Sequence, residues 1–141
     1  MNPPPFEYVL PESLEEALDA LASGHGETKV LAGGQSLVPL MNLRLAAPEQ
    51  LIDLNALSGL DTIAESDNGL SIGAMTRQST AEQSALVQER VPALAEALTR
   101  IGHFQIRNRG TVGGSIAHAD PVAELPATIL ALGGRVTATS A

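Results

Sequence analysis

The sequence predicts an α+β fold in two parts, residues 1–56 and residues 57–141. In the first part, apolar runs at 28–32 and 51–54 enclose a helical stretch, and this strand–helix–strand spacing indicates a small parallel sheet. In the second part, an Asn-Gly pair between two strand-like runs indicates an antiparallel hairpin. We therefore expect a small βαβ unit followed by an incomplete α+β unit with antiparallel strands.

The helices of the first part are predicted from their start signals. Pro3–Pro5 form an extended lead-in, and Ser13 with Glu16 three residues later indicates a capping box at a helix start. That helix is expected to bury apolar residues at helical spacing, namely Leu14, Ala17, Leu18 and Leu21. A second helix is predicted over residues 36–45, with Ser36 as a plausible N-cap.

The second part alternates strand and helix signals. Asn68-Gly69 is the predicted hairpin turn. The predicted elements, in chain order, are strands over 61–65 and 70–74, helices over 79–86, 92–101 and 121–132, and a strand over 135–141. The helix over 92–101 is expected to bury one face that carries Val91, Leu94, Leu98 and Ile101. Gly133-Gly134 should end the last helix.

Composition excludes several classes of function. The net charge of −8 disfavours binding to nucleic acid or to an anionic membrane surface. The chain has no cysteine, so it can hold neither an Fe–S cluster nor a disulfide. Neither a signal peptide nor an apolar stretch of membrane-spanning length is visible, and we expect a cytoplasmic protein.

Two glycine pairs are the candidate ligand-binding features. Gly33-Gly34 and Gly113-Gly114 each follow a strand-like run and precede a serine. A backbone without Cβ atoms allows a ligand to come close, and a helix that starts after such a turn aims free N–H groups at an anion. Two such loops suggest a dinucleotide whose pyrophosphate is held from two sides. For the first pair alone, an ordinary strand-to-helix turn capped by Ser36 is the alternative.

The second glycine pair lies in a longer polar segment. Residues 110–121 are predicted to form a functional loop in which Thr111 and Ser115 can hydrogen-bond an anion. Asp120 is either a ligand contact or the N-cap of the next helix, with equal weight. Glu124 could contact a ribose. The alternative is that its carboxylate has no ligand and is there because the helix dipole stabilises a negative charge in the first turn.

No catalytic or metal-binding residue is predicted. The histidines lack metal-ligand spacing, and His118 is expected to be a polar surface residue. Ser36 and Ser115 have no nearby base. Arg107 and Arg109 are expected to be solvated. Neither glycine pair fits a Rossmann fingerprint or a Walker P-loop, so an anion site here belongs to another architecture.

Two long motifs carry a family resemblance. Residues 32–41, Ala-Gly-Gly-Gln-Ser-Leu-Val-Pro-Leu-Met, and residues 106–115, Ile-Arg-Asn-Arg-Gly-Thr-Val-Gly-Gly-Ser, resemble the FAD-binding medium subunit of molybdenum hydroxylases. The resemblance is to the carbon monoxide dehydrogenase type in particular, and xanthine dehydrogenase carries a related domain. The resemblance covers essentially the whole chain, including residues 72–76 between the motifs.

The resemblance implies a two-subdomain FAD-binding fold with a small parallel and a larger antiparallel subdomain. Family members continue well past the equivalent of Ala141, so the chain is expected to be truncated at its C-terminus. The implied role is electron transfer from a molybdenum-cofactor large subunit, through the [2Fe–2S] clusters of a small subunit, to FAD in this chain and then to an external acceptor. A non-catalytic nucleotide-binding or assembly module is the alternative.

The resemblance also implies the residues that contact FAD. Those expected near the pyrophosphate and the neighbouring flavin groups are Ala32, Gly33, Gly34, Gln35, Ser36, Leu37, Thr111, Gly113, Gly114 and Ser115. Those expected to pack on the cofactor are Ile101, Gly102 and Ile106. Asp120 and Glu124 are expected near its ribose end.

Overall fold

The computed structural model describes residues 2–67 and 69–141. The chain divides into two compact units, one formed by Met1–Ser58 with Ala138–Ala141 and the other by Gly59–Thr137. The fold is mixed α and β, as predicted, with a parallel three-stranded sheet and an antiparallel two-stranded sheet. The assignment of FAD-binding roles to subdomains 1–56 and 57–141 stays a prediction.

The first unit is a three-stranded parallel sheet with two helices. Its elements are β1 (Glu7–Val9), α1 (Leu14–Ser23), β2 (Thr28–Leu31), α2 (Leu37–Asn42), β3 (Gln50–Asp53) and a 3₁₀ turn (Leu54–Ala56). The strand order is β1-β3-β2, so β3 pairs on both sides and all four of its residues are buried. The predicted parallel sheet is confirmed, but β1 was not among the predicted strands and lies after the extended lead-in expected over Pro3–Pro5.

The start of α1 follows the predicted capping box. Ser13 Oγ accepts a hydrogen bond from the Glu16 N–H at 3.1 Å, and the Glu16 carboxylate accepts one from the Glu12 N–H at 2.8 Å. The predicted buried face is wrong at Leu14 and Leu21, which are each 44% exposed. The main sheet contact of α1 is with the central strand β3, so the ends of its apolar stripe extend beyond the surface that it covers.

The second unit combines a hairpin with short helices, six of them in the part of the chain that the structure describes. Its elements are β4 (Ile63–Ser66), β5 (Gly69–Ile72), α3 (Gln78–Gln83), α4 (Ala85–Arg90), α5 (Pro92–Arg100), α6 (Phe104–Arg109), α7 (Val112–His118) and α8 (Glu124–Ala131). The antiparallel pairing of β4 and β5 confirms the predicted hairpin, although Asn68 of its turn lies outside the described residues. Buried side chains from the helices and from the residue that ends α5 form the core: Ala81, Val87, Leu94, Leu98, Ile101, Val112 and Leu125.

The segment around the second glycine pair is helical. We expected a strand-like run into Gly113-Gly114 and a loop over residues 110–121, and both expectations are wrong because α6 precedes the pair and α7 contains it. Thr111 caps α7, and its Oγ1 accepts the Gly114 N–H at 3.0 Å. The Val112 N–H donates to Thr76 O at 3.0 Å, so tertiary partners support a helix that glycine would disfavour.

The C-terminal part differs from the prediction in two places. The last helix begins at Glu124 rather than Pro121, because Asp120 Oδ1 accepts the Val122 N–H at 3.0 Å and holds a turn before it. Gly133 and Gly134 end the helix as predicted. Residues 135–141 are exposed and pair with no strand in the described part of the chain. Val and Thr favour strands only where a neighbouring strand gives them a pleated surface to pack on, and this segment has no such neighbour among the described residues.

Candidate functional site

The first glycine pair forms a tight turn between β2 and α2. Gly34 has a φ of +72°, which is the left-handed region that favours glycine. A Cβ atom there would lie 3.1 Å from Val38 Cγ2 and 3.2 Å from Leu31 Cδ1. Gly34 O accepts the Val38 N–H at 3.1 Å, which joins the turn to the start of α2. The turn therefore requires glycine for its backbone conformation and for its packing.

The same turn leaves a run of backbone donors unused. Within the described residues, no N–H group of residues 33–37 donates a hydrogen bond to another protein group. Ser36 occupies the N-cap position of α2, but its side chain makes no capping hydrogen bond. Gly34 has a left-handed backbone and Ser36 a right-handed helical one, and both conformations occur in backbone turns whose N–H groups bind anions. This geometry fits a phosphate group better than it fits an ordinary capped turn.

Two side chains next to this turn were not among the predicted site residues. Asn55 Nδ2 donates to Ala32 O at 2.9 Å, and Asp53 Oδ1 accepts the Asn55 N–H at 2.8 Å. Asp53 is the last residue of the buried strand β3 and Asn55 follows it, so both lie at the carboxyl end, the edge where parallel sheets collect functional groups. Polar residues at the end of a predicted buried strand are the sequence signal that could have identified Asp53 and Asn55.

The second glycine pair is built differently. The four N–H groups from Val112 to Ser115 all donate within the second unit, to Thr76 O, Ala74 O, Thr111 Oγ1 and Thr111 O. A Cβ atom on Gly113 would lie 2.5 Å from Ala74 Cβ, so packing alone requires a glycine there. Thr111 is only 2% exposed. This segment could offer the Ser115 hydroxyl and a close surface to a ligand, but not a run of free N–H groups.

The turn after α5 brings Ile101, Gly102 and Ile106 together. Gly102 has a φ of +41°, and a Cβ atom on it would lie 3.0 Å from Ile106 Cδ1. Arg107 fixes the turn, because its Nη1 donates to Ile101 O at 2.9 Å and to Gly102 O at 3.2 Å. Ile101 is 9% exposed and belongs to the core, so only part of this cluster is available to a ligand.

Arg107 is not the solvated residue that we expected. Its Nε lies 2.7 Å from Glu82 Oε2, and the two side chains are only 12% and 23% exposed. The backbone carbonyl of Arg109 accepts a hydrogen bond from the Arg77 guanidinium. Arg107 therefore connects α6 to α3 and to the end of α5.

The remaining predicted contacts lie around α8 and the end of α7. Asp120 is half-buried and accepts the Val122 N–H, and Ala123 rather than Asp120 is the N-cap of α8. Glu124 is the first residue of α8 and is half-buried. His118 is exposed at the last position of α7 rather than in a loop. The expected ribose contacts of Asp120 and Glu124 stay predictions.

Two further observations concern the described ranges. Residues 2–67 and 69–141 contain no group of three or more His, Cys, Asp or Glu residues that could hold a metal ion. No helix in these ranges combines the length and the apolar character needed to cross a membrane.

Comparison with known proteins identifies the family. Residues 4–141 match the family described as the FAD binding domain in molybdopterin dehydrogenase. The chain is 51% identical over 140 residues to the 6-hydroxypseudooxynicotine dehydrogenase complex subunit alpha of Paenarthrobacter nicotinovorans, covering 99% of this chain and 47% of that protein. It is 47% identical over 132 residues to the carbon monoxide dehydrogenase medium chain of Hydrogenophaga pseudoflava, covering 94% of this chain and 46% of that protein.

A solved structure shows the same fold. The carbon monoxide dehydrogenase from Hydrogenophaga pseudoflava that lacks the Mo-pyranopterin moiety matches with a TM-score of 0.87 and 49% identity, over 90% of this chain and 44% of that one. The chain spans about half the length of the curated relatives that it matches. The match over residues 4–141 and the close structural likeness together show that this chain belongs to the family of FAD-binding domains of molybdopterin dehydrogenases.

Proposed function

We propose that this chain binds FAD and is the flavin-bearing part of a molybdenum hydroxylase. The observation that supports this most directly is the run of unused N–H groups over residues 33–37, in a turn held by Gly34 at a φ of +72°. Backbone donors that have no partner among the described residues suit the charged oxygens of a pyrophosphate. The chain's own residues therefore fit the cofactor for which its family is described.

Each group of predicted residues would have a distinct binding role. The turn from Ala32 to Leu37 would hold the pyrophosphate with its free N–H groups, and the Ser36 hydroxyl would add one donor. Residues 111–115 would offer the cofactor the Ser115 hydroxyl. The exposed part of the cluster of Ile101, Gly102 and Ile106 would give an apolar contact to the flavin.

Partner subunits complete the proposed function. Bound FAD would accept electrons that come from a molybdenum centre in a large subunit through [2Fe–2S] clusters in a small subunit, and would release them to an external acceptor. The residues of this chain would bind and orient the cofactor and would take no part as acid or base. The names of the relatives support partners of this kind, because they describe a "complex subunit alpha" and a "medium chain".

Titration of the chain with flavins tests the first part of the proposal. FAD should quench or shift its fluorescence on binding, and FMN should bind at least about tenfold more weakly because it lacks the pyrophosphate, a loss of the size expected for one or two charge-assisted hydrogen bonds. A folded chain that binds no flavin, or that binds FMN as tightly as FAD, would contradict it.

Assembly with partner subunits tests the second part. When molybdenum-cofactor and [2Fe–2S] subunits of a related hydroxylase are added with their substrate, the bound flavin spectrum should bleach. Flavin that stays oxidised in an assembled complex would instead favour the non-catalytic nucleotide-binding or assembly module.

A further inference from the structure

We propose that Asn55 is a positioning residue which holds the first glycine turn in its anion-binding shape. Its side chain lies outside the turn but donates from Nδ2 to Ala32 O at 2.9 Å. This inference rests on the proposed function, because it concerns how the same turn would receive the pyrophosphate of FAD.

The effect of this hydrogen bond follows from peptide geometry. Ala32 O and the Gly33 N–H belong to one peptide group, which is planar and trans, so the carbonyl and the N–H point in opposite directions. By fixing the direction of Ala32 O, Asn55 also fixes the direction of the Gly33 N–H. That N–H is the first of the unused donors over residues 33–37.

Asn55 is itself held by a short network. Asp53 Oδ1 accepts the Asn55 backbone N–H at 2.8 Å and also a hydrogen bond from Asn55 Nδ2. Asp53 Oδ2 accepts the Tyr8 hydroxyl at 2.6 Å, and Asp53 is only 8% exposed. Hydrogen bonds to a carboxylate are stronger than neutral ones. The network therefore links β1 and the carboxyl end of β3 to Ala32, the first residue after β2.

The structural role of Asn55 can be separated from the positioning role. The 3₁₀ turn over Leu54–Ala56 is supported by the Asn55 backbone N–H, which a side-chain substitution leaves in place. Asn55 is exposed, so its side chain contributes little to core packing. Loss of the amide should therefore leave the folded unit intact while it releases the Ala32 carbonyl and one of the hydrogen bonds to Asp53 Oδ1.

The test compares Asn55→Ala and Asn55→Asp with the wild-type chain and with Asn108→Ala, which removes an exposed asparagine from α6. Asn55→Asp is nearly isosteric but replaces the donating amide by an acceptor. Asn55→Ala should bind FAD about five- to tenfold more weakly, the loss expected for one neutral hydrogen bond. Asn55→Asp should bind it at least as weakly as Asn55→Ala, because its carboxylate would also repel that of Asp53. The phosphorus NMR signals of bound FAD should move in these variants and stay unchanged in Asn108→Ala.

Thermal unfolding of the FAD-free chain provides the second readout. The midpoint should be the same in wild type and Asn55→Ala if the side chain acts on the turn. Wild-type FAD affinity and unchanged phosphorus signals in both Asn55 variants would overturn the inference, as would a loss of affinity that is matched by a loss of stability. If the wild-type chain itself binds no FAD, the proposed function has failed rather than the role of Asn55.

Discussion

Gly34 and Gly113 both require glycine, but for different physical reasons. Gly34 has a left-handed backbone at a φ of +72°, in the turn whose N–H groups are free. Gly113 has no such conformation, and its missing Cβ makes room for Ala74, whose Cβ would be 2.5 Å away. Substitution at Gly113 would therefore disturb packing whether or not a cofactor binds. Gly34 is the better position at which to test the site.

We predict that Gly34→Ala weakens FAD binding more than its effect on stability explains. Gly59 is the matched control, because its φ is +81° and no atom lies within 4 Å of its potential Cβ. The left-handed backbone should lower the free energy of unfolding by about 1 kcal/mol in each variant, and Gly34→Ala should lose more because its Cβ would crowd Val38 and Leu31. Denaturant unfolding measures that cost and FAD titration measures affinity. Equal FAD affinity in the two variants would mean that the Gly34 turn is only a connection.

The chain's only tyrosine reports on the network behind the glycine turn. The hydrogen bond from Tyr8 to the Asp53 carboxylate raises the pKa of Tyr8 above its ordinary value of 10.0, and desolvation and the charge of Asp53 act in the same direction. The folded state thus holds the phenol proton more tightly than the unfolded chain does. The resulting stability is fully present below pH 10 and is lost as the pH rises through the raised pKa.

This linkage predicts two measurable results. Tyrosinate absorbance should appear at higher pH in the native chain than in the urea-unfolded chain. The thermal midpoint should fall in the alkaline range for wild type and fall less steeply for Tyr8→Phe, which has no phenol proton to lose. Coincident absorbance titrations of native and unfolded chain would show that the Tyr8–Asp53 hydrogen bond does not persist in solution.

At the scale of elements, local signals predicted what local interactions determine. Ser13 and Glu16 predicted the start of α1, and the Asn-Gly pair predicted the β4–β5 hairpin. In contrast, α7 contains two glycines, and its first N–H groups are satisfied by Thr76 O and Ala74 O, which are distant in sequence. No local pattern could reveal those partners. Strand β1 is three residues long and exists only because β3 pairs with it.

For the candidate site too, the sequence revealed the local features but not the contacts between residues distant in sequence. The motifs led to the glycine turn over residues 32–37, whose free N–H groups fit an anion. They also led to Gly113-Gly114, where the sequence alone could not show that every nearby N–H has a partner inside the protein. Asn55 was missed because it acts through the carbonyl of Ala32, and such contacts between loops leave no spacing pattern.

We predict that the ion pair of Arg107 and Glu82 contributes to stability by joining α6 to α3. Arg107→Ala should lower the free energy of unfolding by about 2 kcal/mol, because a largely buried charged partner is left without its hydrogen bonds. The control is Arg100→Ala, whose pair with Glu96 is 72% and 73% exposed and should be worth less than about 0.5 kcal/mol. Urea unfolding of both variants and of the Arg107/Glu82 double variant measures these losses in the free energy of unfolding. Equal losses for Arg107 and Arg100 would contradict the prediction.

At the scale of the whole molecule, apolar surface and net charge have opposite effects on association. Large apolar side chains are more than half exposed on both units: Tyr8, Leu10, Leu43, Leu45, Phe104, Val122, Leu130 and Val136. Exposed apolar side chains favour contact between molecules when they lie together. The net charge of −8 keeps copies apart at low ionic strength, and salt screens that repulsion.

We therefore predict that the chain self-associates, and that added salt increases this association. Leu130 is 82% exposed on α8, so Leu130→Glu should reduce association without a loss of thermal stability. Ala127→Glu adds the same charge to an exposed position of the same helix and serves as the control. Sedimentation velocity at two salt concentrations measures the effect. If both variants reduce association equally, charge rather than apolar contact is responsible.

The strand order of the first unit also dictates when that unit can fold during synthesis. Glu7 and Gln50 are 43 positions apart. Both edge strands, β1 and β2, find their strand partner in β3, which is the last of the three to leave the ribosome. Until Asp53 has emerged, the nascent segment has no sheet to join, because non-local strand pairing cannot begin before its partner is present. Translation arrest just before β3 should leave the segment open to proteases, and arrest well after it should leave the segment protected.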